Sequence, residues 1–216
     1  MKREIFWTDV DGVLTDYASG FDQFVEQRHP EIETQGSCAR DLAARTMYRW
    51  LGVENSEAEK PFFKEFHDTD WYQNMPLFAD AVQFVPRLQR AGYQFRALSH
   101  SREPEKTQSI KQANLDRELR GIVVQAIPYE QKKKDFLDAC EPGIFVDDSL
   151  KNVREGLGRH KCLWMVRFDV EKKQIQEARD EGIIVVRNWA DIYRRIDGYR
   201  DTRPAKIKVK PRYWVR

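Results

Sequence analysis

The sequence predicts a doubly wound α/β domain, a mostly parallel sheet wrapped by helices, with a helical insertion after its first strand. Short apolar runs recur along the chain, and helix-length amphipathic stretches separate them, which is the pattern of βαβ units. One interval, Thr15 to Tyr93, breaks that rhythm and carries helical patterning without a clear strand.

The first strand opens the chain at Glu4-Ile5-Phe6-Trp7-Thr8-Asp9-Val10. The interval after it reads as helices at 16–28, 38–51 and 57–67, with a polar loop around 33–37. A structureless connection of that length is improbable in a compact domain, so these helices are expected to sit above one end of the sheet. A helix at 78–91 leads to the second strand, 93–98. Strands then follow at 121–126, 143–146, 162–166 and 183–186, with helices at 104–115, 130–140 and 171–181. The expected division is an α/β core of residues 1–14 and 77–197, a helical cap of residues 15–76, and a basic tail of residues 198–216.

Bulk properties narrow the function classes. A hydrophobic share of 41% and a charged share of 33% fit a soluble globular protein with a sizeable core. No apolar run approaches the length of a membrane span, and the start MKREIFWTDVDG lacks the apolar stretch of a signal peptide. Cys38, Cys140 and Cys162 form no close-spaced pair, so a reduced, cytoplasmic setting without a disulfide framework is expected. The net charge of +2 hides an asymmetry: residues 198–216 hold seven Lys or Arg and one Asp, +6, leaving −4 for the rest. Such a tail can touch nucleic acid, an acidic partner or a neighbouring subunit, or remain a solvated terminus.

In an open parallel sheet, ligands bind outside the carboxyl ends of the strands. The first strand ends in Asp9-Val10-Asp11-Gly12-Val13-Leu14-Thr15-Asp16, the second in Ser99-His100-Ser101, and the fourth in Asp147-Asp148-Ser149. Lys132-Lys133-Lys134 lies before the helix leading to that fourth strand. Carboxylates cannot crowd together uncompensated, and a divalent hard cation such as Mg²⁺ relieves them. With a cation and a lysine present, the edge becomes a receptor for an anion. Asp9 is then placed to attack phosphorus and Asp11 to serve as acid and base, while Ser99 and a lysine hold the transferring group.

These residues carry a resemblance. The run Asp9 to Asp16 after an apolar strand is similar to the first motif (DxDGxLxD) of the haloacid dehalogenase-like (HAD) superfamily. Leu98-Ser99 resembles the second motif, Lys133 the third, and residues 144–149 the fourth. The resemblance spans residues 3 to about 195 and leaves the tail outside. It implies a HAD-like Rossmannoid core and a phosphatase, because an acid at position 11 marks the phosphatases and phosphotransferases of the family. It implies Asp9 as nucleophile and metal ligand, Asp11 as acid/base with its backbone carbonyl on the metal, and Asp148 as a direct Mg²⁺ ligand. Asp147 would bind that ion directly or through water. The choice of Lys133 over its two neighbours rests on its spacing to Asp147 in similar enzymes.

Asp11 to Tyr17, followed by Gly20-Phe21, resembles the 5′(3′)-deoxyribonucleotidase branch, and Phe62-Phe63, Trp71 and Met75-Pro76 add to that likeness. It implies a (deoxy)nucleoside monophosphate as substrate, with Phe21 and Trp71 stacking on the base. His100 and Arg102, beside the second motif, are further candidates for substrate contact. The alternatives are a nucleic-acid end phosphatase that uses the basic tail, and a binding protein that keeps the fold without catalysis. Base, sugar, phosphate position and oligomeric state are left open by the sequence.

Overall fold

The computed structural model describes residues 4–44, 46–168 and 170–196. Six strands form one all-parallel sheet: β1 (Ile5–Thr8), β2 (Gln94–Ser101), β3 (Val123–Pro128), β4 (Ile144–Asp147), β5 (Lys161–Met165) and β6 (Ile184–Val186), in the order β3-β2-β1-β4-β5-β6. From β1 the chain builds outward to one side through β2 and β3, then to the other side through β4, β5 and β6. This reversal makes the carboxyl end of β1 a topological switch point, where crossovers on opposite faces diverge and leave a crevice.

Both faces of the sheet are covered, as the unbroken apolar strands require. Phe6, Phe95, Ala97, Val124, Val146 and Leu163 pack on one face against α6 (Ala79–Arg90) and α11 (Trp189–Ile196). Trp7, Leu98, Phe145, Cys162 and Trp164 pack on the other against α8 (Lys133–Ala139), α9 (Leu150–Glu155) and α10 (Lys172–Asp180). Crossover helix α7 (Pro104–Asp116) connects β2 to β3, with proline in its first turn where no N–H is needed. β2 and β3 run to Ser101 and Pro128, two or three residues past the expected strands, because the parallel ladder continues there, pairing Ser99 with Ala126 and Ser101 with Pro128. Ser99 is therefore the sixth residue of its strand rather than the first beyond it.

Between β1 and β2 lie α1 (Tyr17–Arg28), α2 (Cys38–Ala44), α3 (Met47–Trp50), α4 (Ser56–His67) and α5 (Asp70–Gln73). The single helix expected over 38–51 is two short ones; Thr46 occupies the N-cap position of α3, and its hydroxyl bonds back to Asp41 at 2.8 Å. These helices have an apolar cluster of their own, built on Phe21, Phe24, Trp50, Phe66 and Met75. Asp16 caps α1, and Asn55 caps α4 by accepting from the N–H groups of Glu57 and Ala58. The chain leaves and returns through a paired neck. Thr15 bridges Leu77 antiparallel, Asp16 N donates to Pro76 O at 2.8 Å, and Phe78 N donates to Leu14 O at 2.9 Å. The basic tail, residues 198–216, lies outside the described residues.

Candidate active site

Asp9 follows β1, and its backbone N–H continues the ladder to Val146 O at 2.8 Å, holding the residue beside the end of β4. The next residues turn sharply. Gly12 has φ +75, and a Cβ there would come within 2.1 Å of an Asp148 carboxylate oxygen, so both the turn and the approach of Asp148 require glycine. The loop is clamped from below. The Arg167 guanidinium donates to the carbonyls of Gly12 (3.2 Å) and Val13 (3.1 Å), is held by Asp80 at 3.2 Å, and lies 3.6 Å from the centre of the Phe78 ring. Trp189 Nε1 donates to Val13 O at 3.0 Å, and Trp164 Nε1 to Asp148 O at 2.8 Å.

Two buried ammonium groups divide three of the carboxylates between them. Lys133, at the start of α8, reaches Asp147 at 2.7 Å and Asp9 at 3.2 Å. Lys111, on the inner face of α7, reaches Asp11 at 2.6 Å and the Ser99 hydroxyl at 2.7 Å. Burial works against the charge on each lysine, and the neighbouring carboxylates overcome it: Asp11 holds Lys111 above the ordinary lysine pKa, and Asp147 with Asp9 does the same for Lys133. Thr15 Oγ1 fixes the other oxygen of Asp11 at 3.1 Å.

Asp9, Asp147 and Asp148 each offer an oxygen within 4.8 Å of the others. Burial pushes Asp9 up to about 6, against the pull of Lys133. Burial also raises Asp148 well above the carboxylate range, and the charges of Asp147 and Asp9 add to the effect. Asp147 is fully buried and saturated with donors from Lys133, Asn152 and the Ser149 N–H. The Asp148 carboxylate accepts no hydrogen bond from a described residue, so its capacity is directed elsewhere. An all-oxygen donor set with one unengaged carboxylate and a surplus of negative charge fits a hard divalent cation. The Asp11 carboxyl is not one of the three; it turns to Lys111 and Thr15, which leaves its backbone carbonyl as the only ligand it would offer.

Above these residues opens a cavity of about 680 Å³, with Asp9, Asp11, Gly12 and Asp148 on its floor. Aromatic walls come from Tyr17, Phe63, Tyr72 and Tyr129. His67, at the end of α4, meets the Tyr17 hydroxyl at 3.0 Å, and burial lowers its pKa below the histidine norm. His100 and Arg102 line the cavity as well; the His100 ring is fixed by the Gln131 carbonyl at 2.9 Å and stacks on Tyr129.

Phe21 and Trp71 are a correction to the sequence reading. Phe21 is fully buried among Phe24, Trp50, Phe63 and Phe66, on the inward face that α1 also fills with Ala18 and Val25. Trp71 packs edge-on to Phe24 in the same cluster. Neither lines the cavity. Lys111, Tyr72 and Tyr129 were missed. Lys111 had a signal: Thr107, Lys111, Asn114 and Leu115 form the buried stripe of α7 at helical spacing, and three of those four are polar.

No family model and no curated protein sequence matches the chain. Solved structures do match its shape. A haloacid dehalogenase-like hydrolase family protein from Streptococcus pneumoniae superposes with a TM-score of 0.62 at 12% identity, over 92% of this chain and 99% of that one. A dehalogenase in an intermediate complex gives 0.57 at 14% identity, covering 88% and 95%. A candidate phosphatase from Clostridium difficile gives 0.56 at 16% identity, covering 86% and 95%. The fold is that of the haloacid dehalogenase-like hydrolases.

Proposed function

We propose that the chain is a phosphomonoester hydrolase working through an aspartyl-phosphate on Asp9. One observation carries this reading. Four carboxylates, two buried lysines and a hydroxyl meet at the switch point of the sheet, and three of those carboxylates, Asp9, Asp11 and Asp148, line the floor of a cavity large enough to enclose a small molecule. The fold shared with hydrolases and a dehalogenase supports the assignment by analogy.

Asp9, Asp148 and the Asp11 carbonyl would hold Mg²⁺, with Asp147 beside them, and the bound ion would neutralise charge on the phosphoryl oxygens. The remaining chemistry belongs to the side chains. The Asp9 carboxylate attacks phosphorus, the ester P–O bond breaks, and Asp11 passes the proton of a monoanionic phosphate ester to the departing oxygen. Asp11, now a carboxylate, takes a proton from the water that attacks the aspartyl-phosphate, releasing phosphate and restoring Asp9. Ser99 donates to a phosphoryl oxygen, and Lys133 supplies fixed positive charge beside Asp9. Lys111 is a positioning residue: it holds the Asp11 carboxyl and the Ser99 hydroxyl on one ammonium.

The aromatic walls favour a flat organic group on the phosphate, and a nucleoside monophosphate is the substrate class they suit best. Tyr17, Phe63, Tyr72 and Tyr129 take the part that the sequence reading gave to Phe21 and Trp71. The test is phosphate release from a panel of nucleotides and an aryl phosphate, by wild type and Asp9→Asn, with Mg²⁺ and with chelator. Turnover should require both Mg²⁺ and Asp9. Near-normal release by Asp9→Asn would overturn the mechanism.

A further inference from the structure

The mouth of the cavity is charged differently from its floor. Four cations line it: Lys60, Lys64, Arg102 and Lys106. Lys106 is occupied twice over, by Asp68 at 2.7 Å and Glu103 at 3.5 Å, and among the described residues those two are the only acids lining the cavity away from the floor. Lys60 is held by Glu57 at 2.6 Å, which does not line the cavity. Arg102 and Lys64 have no ion pair with a described residue. The mouth therefore has positive charge to spare, presented from the end of β2 and from α4. No ion pair joins Arg102 or Lys64 to the acids of the floor, whose lysine partners are Lys111 and Lys133.

Between floor and mouth the wall is apolar and aromatic: Phe63 and Ile110 with the rings of Tyr17 and Tyr72. A ligand that fills this space has three parts in order. Its phosphoryl group sits over Asp9, a flat or apolar body lies along the rings, and its far end meets Arg102 and Lys64. A guanidinium recognises a phosphate or carboxylate through paired N–H donors, and gains most where the anion has no competing partner.

The geometry points to a phosphomonoester that carries a second anionic group, phosphate or carboxylate, at the end remote from the scissile phosphate. This rests on the hydrolase reading of the floor and narrows its substrate class. It favours a nucleoside bisphosphate over a monophosphate, and a carboxylated aryl phosphate over a plain one.

The experiment uses matched pairs: adenosine 5′-monophosphate against adenosine 3′,5′-bisphosphate, and phenyl phosphate against 4-carboxyphenyl phosphate. Binding is measured calorimetrically on Asp9→Asn with Mg²⁺, and kcat/KM on wild type. The doubly anionic member of at least one pair should win by about tenfold, carried in affinity and KM rather than kcat. The pair that discriminates tells phosphate from carboxylate. In Arg102→Ala/Lys64→Ala the ratio within that pair should collapse toward one, and Arg102→Glu should invert it. Both side chains are exposed, so folding is not at stake, and circular dichroism checks it. Equal affinity within both pairs overturns the inference, as does a preference that survives the double variant. Release of no phosphate from any of the four compounds, with the binding preference intact, overturns the hydrolase reading and leaves the second-anion site standing.

Discussion

Replacing Gly12 by alanine strikes the site at its closest approach. The added methyl would begin 2.1 Å from Asp148 Oδ2 and 2.7 Å from its Cγ, and the carboxylate must retreat by well over 1 Å to reach the 3.4 Å at which ordinary contact begins. Metal–ligand distances tolerate about 0.2 Å, so a displacement of that size removes Asp148 from a shared ion. Alanine at φ +75 also costs about 1–2 kcal/mol of backbone strain. The two effects separate experimentally. Urea unfolding of chelator-treated protein should show the strain alone, a loss of about 1–2 kcal/mol. Calorimetric titration with Mg²⁺ should show affinity reduced by about tenfold or more. Unchanged Mg²⁺ affinity alongside the expected loss of stability would refute the placement of Asp148 as a ligand.

Three further outcomes follow from the same geometry. Lys111→Met leaves the Asp11 carboxyl and Ser99 hydroxyl without their shared donor, and kcat should fall by about 10²-fold in the steady-state assay, with Lys111→Arg recovering part of it. In metal-free protein Asp9 is raised from 3.8 to about 6, so between those values the folded state binds more protons than the unfolded one. That stability is fully present below 3.8 and is lost as pH rises through about 6, roughly 3 kcal/mol, read as the difference between wild type and Asp9→Asn in urea midpoints across the range. Trp189→Ala removes a fully buried ring that packs on Phe6 and Phe95 and bonds Val13 O, and should cost about 3–5 kcal/mol in the same unfolding assay.

The sheet was legible because β1, β4 and β5 are short, almost wholly buried apolar runs, as parallel strands covered on both faces must be. The convergence of Asp9, Asp11, Ser99, Asp147 and Asp148 was legible for the same reason: strand ends in an open sheet share one edge, so residues far apart in sequence can be brought together by topology alone. Lys133 could be picked from three adjacent lysines only by likeness, and the structure distinguishes it by burial: Lys134 instead faces solvent and pairs with Asp138. The aromatic residues were not legible. Phe21 and Phe63 lie on neighbouring helices and stack at 4.8 Å, yet one is sealed inside and the other lines the cavity. Which side of a helix faces a cavity depends on how the helices dock, and single-helix periodicity does not carry that information. Tyr129 was missed because it sits in the turn after β3, outside any periodic segment.

The paired neck at Thr15 and Leu77 has a consequence for how such a protein can diversify. Because departing and returning segments are already zipped together, everything beyond them can lengthen, shorten or be exchanged without moving Asp9 or Asp11, which are fixed by β4, Lys133 and Lys111 on the near side. The reacting groups thus lie apart from the stretch that supplies Tyr17, Phe63, Lys64 and Tyr72 to the cavity, while Arg102, Ile110 and Tyr129 reach it from the sheet side. Grafting a foreign sequence between residues 16 and 76 should change which phosphate esters are accepted while leaving the hydrolytic step intact.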